Sequence, residues 1–222
     1  MDTSAWDTAA QTLLTSPAAD GATALYVAVH KPSTGWIYKA YGDASQGVPA
    51  TLDDRFPIGS ITKTALATAV LQHVGKGDLS LNDTVKKLDP KLAARFPSTA
   101  RWTVRQLLSM STPIPDYAEA ALDQLVANPR KTFARDQLIR IGLTKGKKPP
   151  AGGAYSTTNY IILGDLMRAV TGKSPTALVN DIYRQAKLTH SRLTTLGVRP
   201  APMTHGYVGT AQASAPTRST RP

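Results

Sequence analysis

A serine and a lysine stand three residues apart in "FPIGSITKTALATAV", Phe56 to Val70, at the head of a run that is apolar almost all the way round. An ammonium in such company is costly unless it is paired, and it can lose its proton instead. Residues i and i+3 share one face of a helix, so the Lys63 amine is expected beside the Ser60 hydroxyl, with Ile61, Ala65, Leu66, Ala67 and Val70 depressing its pKa. A neutral lysine can take the serine proton and so create a nucleophile able to attack an acyl carbon. Ser60 also falls where a helix begins, and the unpaired N–H groups and positive dipole end there favour an oxyanion. The pair alone decides little. A chain of this length holds about one Ser-x-x-Lys by chance at average usage, and a lysine snorkelling from a helix start is the commoner arrangement. The apolar helix and the preceding Gly59 set this one apart.

A second constellation is "GGAYSTTNYIILG". Tyr155 ends a glycine-rich loop just before a helix, where a phenol can project into a cleft and relay protons with a nearby ammonium. A tyrosine at such a junction can equally be a packed anchor.

These residues need a body to hold them, and the composition supplies one. With 222 residues, 41% hydrophobic and 18% charged, the chain can bury one sizeable core. It has no cysteine, which excludes disulfides and thiolate metal sites. The four histidines, His30, His73, His190 and His205, lack metal-ligand spacing, so no metal is expected. The net charge of +11 could draw a polyanion, but Lys and Arg are spread from Lys31 to Arg221 without interleaved aromatics, so a solvated basic surface is expected rather than nucleic-acid binding. No apolar run reaches the ~18 residues of a membrane span. The opening "MDTSAWDTAA" is acidic where an export signal is basic, so the chain is expected either to stay in the cytoplasm or to lack its leader.

The hydrophobic pattern predicts a first helix at "SAWDTAAQTLL", then strands "ATALYVAVH" and "GWIYKAYG" around the turn "KPSTG". From Ile61 onward helices dominate: Ile61 to Val74, "TVRQLLSM" capped by Thr103, Tyr117 to Ala127, "ARDQLIRIGL", "NYIILGDLMRAV" and "PTALVNDIYRQA". Turn-rich pieces, "GKGDLSLND" and "KGKKPPAGG", separate them, and residues 211–222 are expected to be a disordered tail behind one domain spanning 1–210. Two antiparallel strands make a marginal sheet, so more strands are expected from elsewhere.

Four blocks now carry a resemblance: "LDDRFPIGSITKTALATAVLQHVGKGDLSLNDTV", "TVRQLLSMSTPIPDY", "AYSTTNYIILGDLMRAVTGKS" and "HGY". In this order, over roughly residues 20 to 210, they resemble the penicillin-recognising serine hydrolases, on the branch of D-alanyl-D-alanine carboxypeptidases and class C β-lactamases. The resemblance implies an α+β, β-lactamase/transpeptidase-like fold: strands of an antiparallel sheet plus a helical lobe, with the active site between two lobes. It implies a covalent acyl-enzyme at Ser60, with Lys63 as its proton acceptor and orienting partner. Tyr155 would be the acid/base that serves the leaving amine and then the attacking water. Family members use neither metal nor organic cofactor, and most work outside the cytoplasm. The substrate would be a small molecule or peptide bearing an acyl group: a D-Ala-D-Ala-like peptide, a β-lactam or an ester.

Two departures bear on the substrate. The family's second motif ends in Asn, whose amide both donates and accepts; here it ends in Thr157, a shorter hydroxyl that must choose, so Thr157 becomes the substrate-binding candidate. Asn159, two positions further along a helix, points elsewhere. The third motif, Lys-Thr-Gly or its histidine variant on an edge strand, is absent, because "STG" at Ser33 to Gly35 lies in a hairpin turn. Truncation before the last sheet strands is the expected explanation, and it would remove one oxyanion donor, a loss that costs a factor of about 10²–10³. Such a chain is expected to be weakly stable and weakly active, and to self-associate through an exposed sheet edge. A relative that only binds peptidoglycan-like ligands, or has no activity of its own, is the alternative.

Overall fold

A computed structural model of the chain describes residues 4–16, 21–128, 130–150, 152–194, 204, 207–208 and 217–218. They divide into two compact units, one from residues 1–57 with 198–222 and the other from 58–197.

The first unit is built on the expected hairpin. Strands β1, Ala24–Lys31, and β2, Gly35–Ser45, pair antiparallel in the register Ala24↔Gly42 to Lys31↔Gly35. Alternation sends Leu25, Val27 and Val29 to one face, where they meet Trp6, Ala10 and Leu13 of helix α1, Ser4–Thr15. On the other face Tyr26 stacks on Phe56 with ring centroids 4.8 Å apart, and its hydroxyl donates to Asp54 at 2.7 Å. Burial and the Asp54 carboxylate push the Tyr26 phenol up to about 12. The sheet has a third strand that the sequence reading lacked: β3, Val48–Pro49, pairs with the end of β2 across an irregularity at Asp43/Ser45. Two residues carry too little alternation to register as a strand. Of the tail 211–222, only Thr217–Arg218 is described, paired with Tyr207–Val208; the rest, and His205 of "HGY", lie outside the described residues.

The second unit is helical. Helix α2, Thr62–Gly75, follows a 3-10 turn at Gly59–Ile61. Helices α3, Val85–Leu88, and α4, Pro90–Arg95, come next, then α5, Val104–Leu108, and α6, Ala118–Ala127. Helices α7, Arg135–Lys145, α8, Thr157–Thr171, and α9, Pro175–Gln185, complete the unit. The expected helix at "TVRQLLSM" is α5, and Thr103 caps it as predicted: its hydroxyl accepts from the Gln106 N–H at 3.3 Å, while the Gln106 side chain accepts from the Thr103 N–H at 3.1 Å. The short helices α3 and α4 went unread, although each carries a cap signal. The Thr84 side chain accepts from the Lys87 N–H at 3.2 Å, and that of Asp89 from Leu92 at 2.9 Å, with Pro90 at the first helical position.

Helix α8 is the axis of this unit. Thr158, Asn159, Ile162, Leu163, Asp165, Leu166 and Met167 are all buried, and α2, α5, α7 and α9 pack on it. Asp165 is tied across to α7 by Arg135 at 2.7 Å, while burial pushes its carboxyl up against the opposing pull of Arg135 and Arg168. Among the described residues no helix is long and apolar enough to cross a membrane.

Leu166 is fully enclosed in this core. Replacing it by Ala should cost about 2–5 kcal/mol, read as a lowered urea midpoint at constant m by circular dichroism. A Thr103→Ala variant should lose about 1 kcal/mol through its cap. A Leu166→Ala midpoint unchanged from wild type would remove α8 from the centre of the fold.

Candidate active site

Gly59, at φ +52°, turns the chain into the left-handed region and starts the 3-10 turn that holds Ser60. The α-helix proper begins two residues later, one residue after the expected Ile61. Lys63 lies in its first turn, on the same side as Ser60, and its Nζ is 2.9 Å from the Ser60 Oγ. Of the apolar neighbours named from sequence, Ala65, Leu66 and Val70 are buried in the core, whereas Ile61 is exposed.

Tyr155 arrives from 92 residues away. Its hydroxyl is 2.7 Å from Lys63 Nζ and 2.7 Å from Ser60 Oγ, which closes a triangle of three mutual contacts. The Lys63 ammonium also lies 4.9 Å from the centroid of the Tyr155 ring and 5.9 Å from that of Tyr160. As oriented, the amine donates to both oxygens and the phenol donates to the serine. The hydrogen bond with Lys63, and then that with Ser60, hold the Tyr155 phenol below its usual range against the opposing effect of burial. A phenol made more acidic by an adjacent cation can give up its proton and then accept one from the serine.

Tyr155 is held in place by the start of α8, which begins at Thr157 rather than at the expected Asn159. Three consecutive residues there grip the loop 112–116. The Thr157 hydroxyl donates to the Asp116 carboxylate at 3.3 Å, and that of Thr158 to the Pro115 carbonyl at 2.7 Å. The Asn159 side-chain carbonyl accepts from the Thr112 hydroxyl at 2.7 Å. Asn159 thus points into the core, as its helical position implies, and its amide nitrogen is buried without a hydrogen-bond partner among the described residues. Helix α7 backs the same loop at close range: a Cβ on Gly142 would sit 2.6 Å from the Thr158 hydroxyl. On the approach to Tyr155, Gly153 has φ +85°, and a Cβ there would sit 2.5 Å from the Met110 carbonyl. Only glycine lets this loop pass so close.

The structure therefore brings Ser60, Lys63 and Tyr155 together, with Thr157 one turn behind. The Thr157 hydroxyl lies between two partners, the Asp116 carboxylate at 3.3 Å and the Tyr155 phenol, whose pKa it helps to lower. Sequence reading missed Asp116, because its role depends on a tertiary approach between two loops. A cavity of about 830 Å³ opens beside Tyr155 and Asp116. Among the described residues no three His, Asp or Glu side chains group as a metal site.

The antiparallel sheet and the helical unit around α8 make up a β-lactamase-like fold. The Beta-lactamase family model matches residues 9–221, and the chain belongs to that family. It is 28% identical over 149 residues to Protein flp of Staphylococcus aureus (strain MW2), covering 66% of this chain and 30% of flp. The D-amino acid amidase of Ochrobactrum anthropi SV3, in complex with L-phenylalanine amide, superposes with a TM-score of 0.77 at 24% identity, over 98% of this chain and 62% of that one. A D-stereospecific amidohydrolase from Streptomyces sp. gives a TM-score of 0.70 at 28% identity, over 90% of this chain and 60% of that one. The chain thus spans about a third of the length of the curated relative and about three fifths of the solved structures.

The Tyr155 phenol should ionise at lower pH than an ordinary tyrosine in an ultraviolet difference titration. In Lys63→Met that transition should move upward, while the Tyr26 transition stays high. A Tyr155 transition indifferent to Lys63 would contradict the coupling.

Proposed function

We propose that the chain forms the Ser-x-x-Lys portion of a serine hydrolase that opens amide bonds through a covalent acyl-enzyme. The observation that carries this is the closed triangle of Ser60, Lys63 and Tyr155. Ser60 Oγ attacks the carbonyl carbon, and its proton passes to the deprotonated Tyr155 oxygen, which the Lys63 ammonium stabilises. The proton then moves from Tyr155 to the departing amine as the C–N bond breaks, leaving an ester on Ser60. In the second half Tyr155 takes a proton from water as that water attacks the ester, and returns it to Ser60. In this reading Tyr155 takes the proton that the sequence assigned to Lys63, and Lys63 keeps its expected role as the orienting partner of Ser60. The Ser60 N–H, at the start of a helix, is the donor for the oxyanion.

Amides are the favoured bond type because two structural relatives are named for amide cleavage, a D-amino acid amidase and a D-stereospecific amidohydrolase. Peptidase, β-lactamase and esterase activities use the same acyl-enzyme step, and the way each substrate is held distinguishes them.

The test is covalent labelling. A fluorophosphonate should add to Ser60, located by peptide mass spectrometry, and Ser60→Ala should remain unlabelled. Tyr155→Phe should slow labelling by about 10²-fold or more. Equal labelling of Ser60→Ala would overturn the assignment.

A further inference from the structure

The Tyr155 oxygen has a third neighbour besides Lys63 Nζ and Ser60 Oγ. The Thr157 hydroxyl hydrogen-bonds with it and adds to the larger effects of Lys63 and Ser60 in holding the phenol below its usual range. The same hydroxyl donates to Asp116 Oδ2 at 3.3 Å. A threonine hydroxyl carries a single proton, so it can donate fully to only one of these two oxygens at a time. Asp116 is held in place as the competing acceptor. Its Oδ1 accepts from the Ala118 N–H at 3.1 Å, and among the described residues the half-buried carboxylate has no ion-pair partner within 4.0 Å.

Which oxygen wins depends on the charge of Tyr155. While the phenol is protonated, its own proton goes to Ser60 and the Asp116 carboxylate is the stronger acceptor for Thr157. Once the phenol has ionised, its oxygen is an anion far more basic than a carboxylate, with an ordinary pKa of about 10 against about 4. The bond to Asp116 is long beside the usual O–H···O range of about 2.5–3.0 Å, so little is lost when it breaks. Turning the hydroxyl about its Cβ–Oγ bond moves no heavy atom.

We propose that the Thr157 hydroxyl is a two-position donor that turns from the Asp116 carboxylate to the Tyr155 oxygen as the phenol loses its proton, and that Asp116, by competing for that donor, sets how readily Tyr155 serves as the base. Both are positioning residues, acting on Ser60 only through Tyr155. When Ser60 passes its proton to the phenolate, the Thr157 hydroxyl turns back to Asp116, so neither residue gains or loses a proton. The inference rests on the reading of Tyr155 as proton acceptor for its place in a reaction, but the exchange of hydrogen bonds can be measured without turnover.

The experiment is an ultraviolet difference titration of the full chain, with the Tyr155→Phe titration subtracted to isolate the Tyr155 transition. Tyr117 and Tyr160 lie near the same centre, but burial pushes both phenols up and away from it. Thr157→Val removes the hydroxyl with little change of shape and should move the Tyr155 transition upward by about 0.5–1 pH unit. Thr157→Ser should restore it, and Thr157→Ala gives the same reading should the valine chain fail to fold. Asp116→Asn should move the transition downward, because a neutral amide competes less well for the Thr157 proton. The same change made in the Thr157→Val chain leaves only the through-space effect of the carboxylate. That effect is weakened by salt, like those of Glu119, Asp123, Lys145, Lys147 and Lys148 around the same cavity. It should be about half or less of the shift seen with Thr157 in place. A Tyr155 transition that does not move on loss of the Thr157 hydroxyl would overturn the proposal, and so would an Asp116→Asn shift equally large with and without it. Fluorophosphonate labelling of the wild-type chain separates the two readings. Labelling without this coupling removes only the roles of Thr157 and Asp116, and coupling without labelling removes the acyl-transfer chemistry while the exchange of hydrogen bonds stands.

Discussion

Everything chemical in this chain depends on one contact, that of the Tyr155 hydroxyl with a Ser–Lys pair that lies 92 to 95 residues away in sequence. The Ser60–Lys63 half is local and follows from one helical turn. The Tyr155 half has to be imposed by the fold. All three groups are reachable by water, and Tyr155 is 56% exposed, so their mutual hydrogen bonds contribute little to holding them in place. The holding is done nearby and out of solvent. Thr158 and Asn159, both fully buried, fasten the start of α8 to the loop before α6, while Leu163, Leu166 and Met167 anchor the helix in the core. A rigid buried clasp thus presents an exposed reactive group, an arrangement suited to a site that must admit substrate without losing its geometry.

The same clasp determines the electrostatics. Tyr155 has a cation against its oxygen and burial working against ionisation, and the cation wins. One residue pair further on, the Thr157 hydroxyl meets the Asp116 carboxylate and also contributes to lowering the Tyr155 phenol. The cavity beside Tyr155 carries both signs of charge, with Asp116, Glu119 and Asp123 and also Lys145, Lys147 and Lys148 in its lining.

How much of this could be read from sequence follows the range of each interaction. Ser60 and Lys63 were legible because the i, i+3 relation is fixed by helix geometry alone. Thr103 was legible because a cap and its Gln106 partner lie within one turn, and by the same logic Thr84 and Asp89 could have been read, though the helices they cap are only one or two turns long. The hairpin was legible by alternation, and β3 was not, since two residues have no period. Asn159 was rightly read as pointing away from the site, but its bond to Thr112 needed the tertiary structure. Thr157 was singled out from sequence as the odd residue in its motif. Its contact with Asp116 was hidden, because Asp116 lies 41 positions earlier and only the packing of α8 on its loop brings them together. The family resemblance supplied Tyr155, which spacing alone left undecided between anchor and proton relay.

The central claim is that Ser60 is activated by proton exchange with the Tyr155 phenol under the influence of Lys63. The rate of Ser60 phosphonylation by a fluorophosphonate, followed as a function of pH, tests it most directly. The account predicts a rate that rises with the same ionisation seen in the Tyr155 spectrum, and a Tyr155→Phe chain in which that limb of the profile has vanished. An identical profile in Tyr155→Phe, with the rate undiminished, would mean that the phenol is a bystander and the triangle an accident of packing.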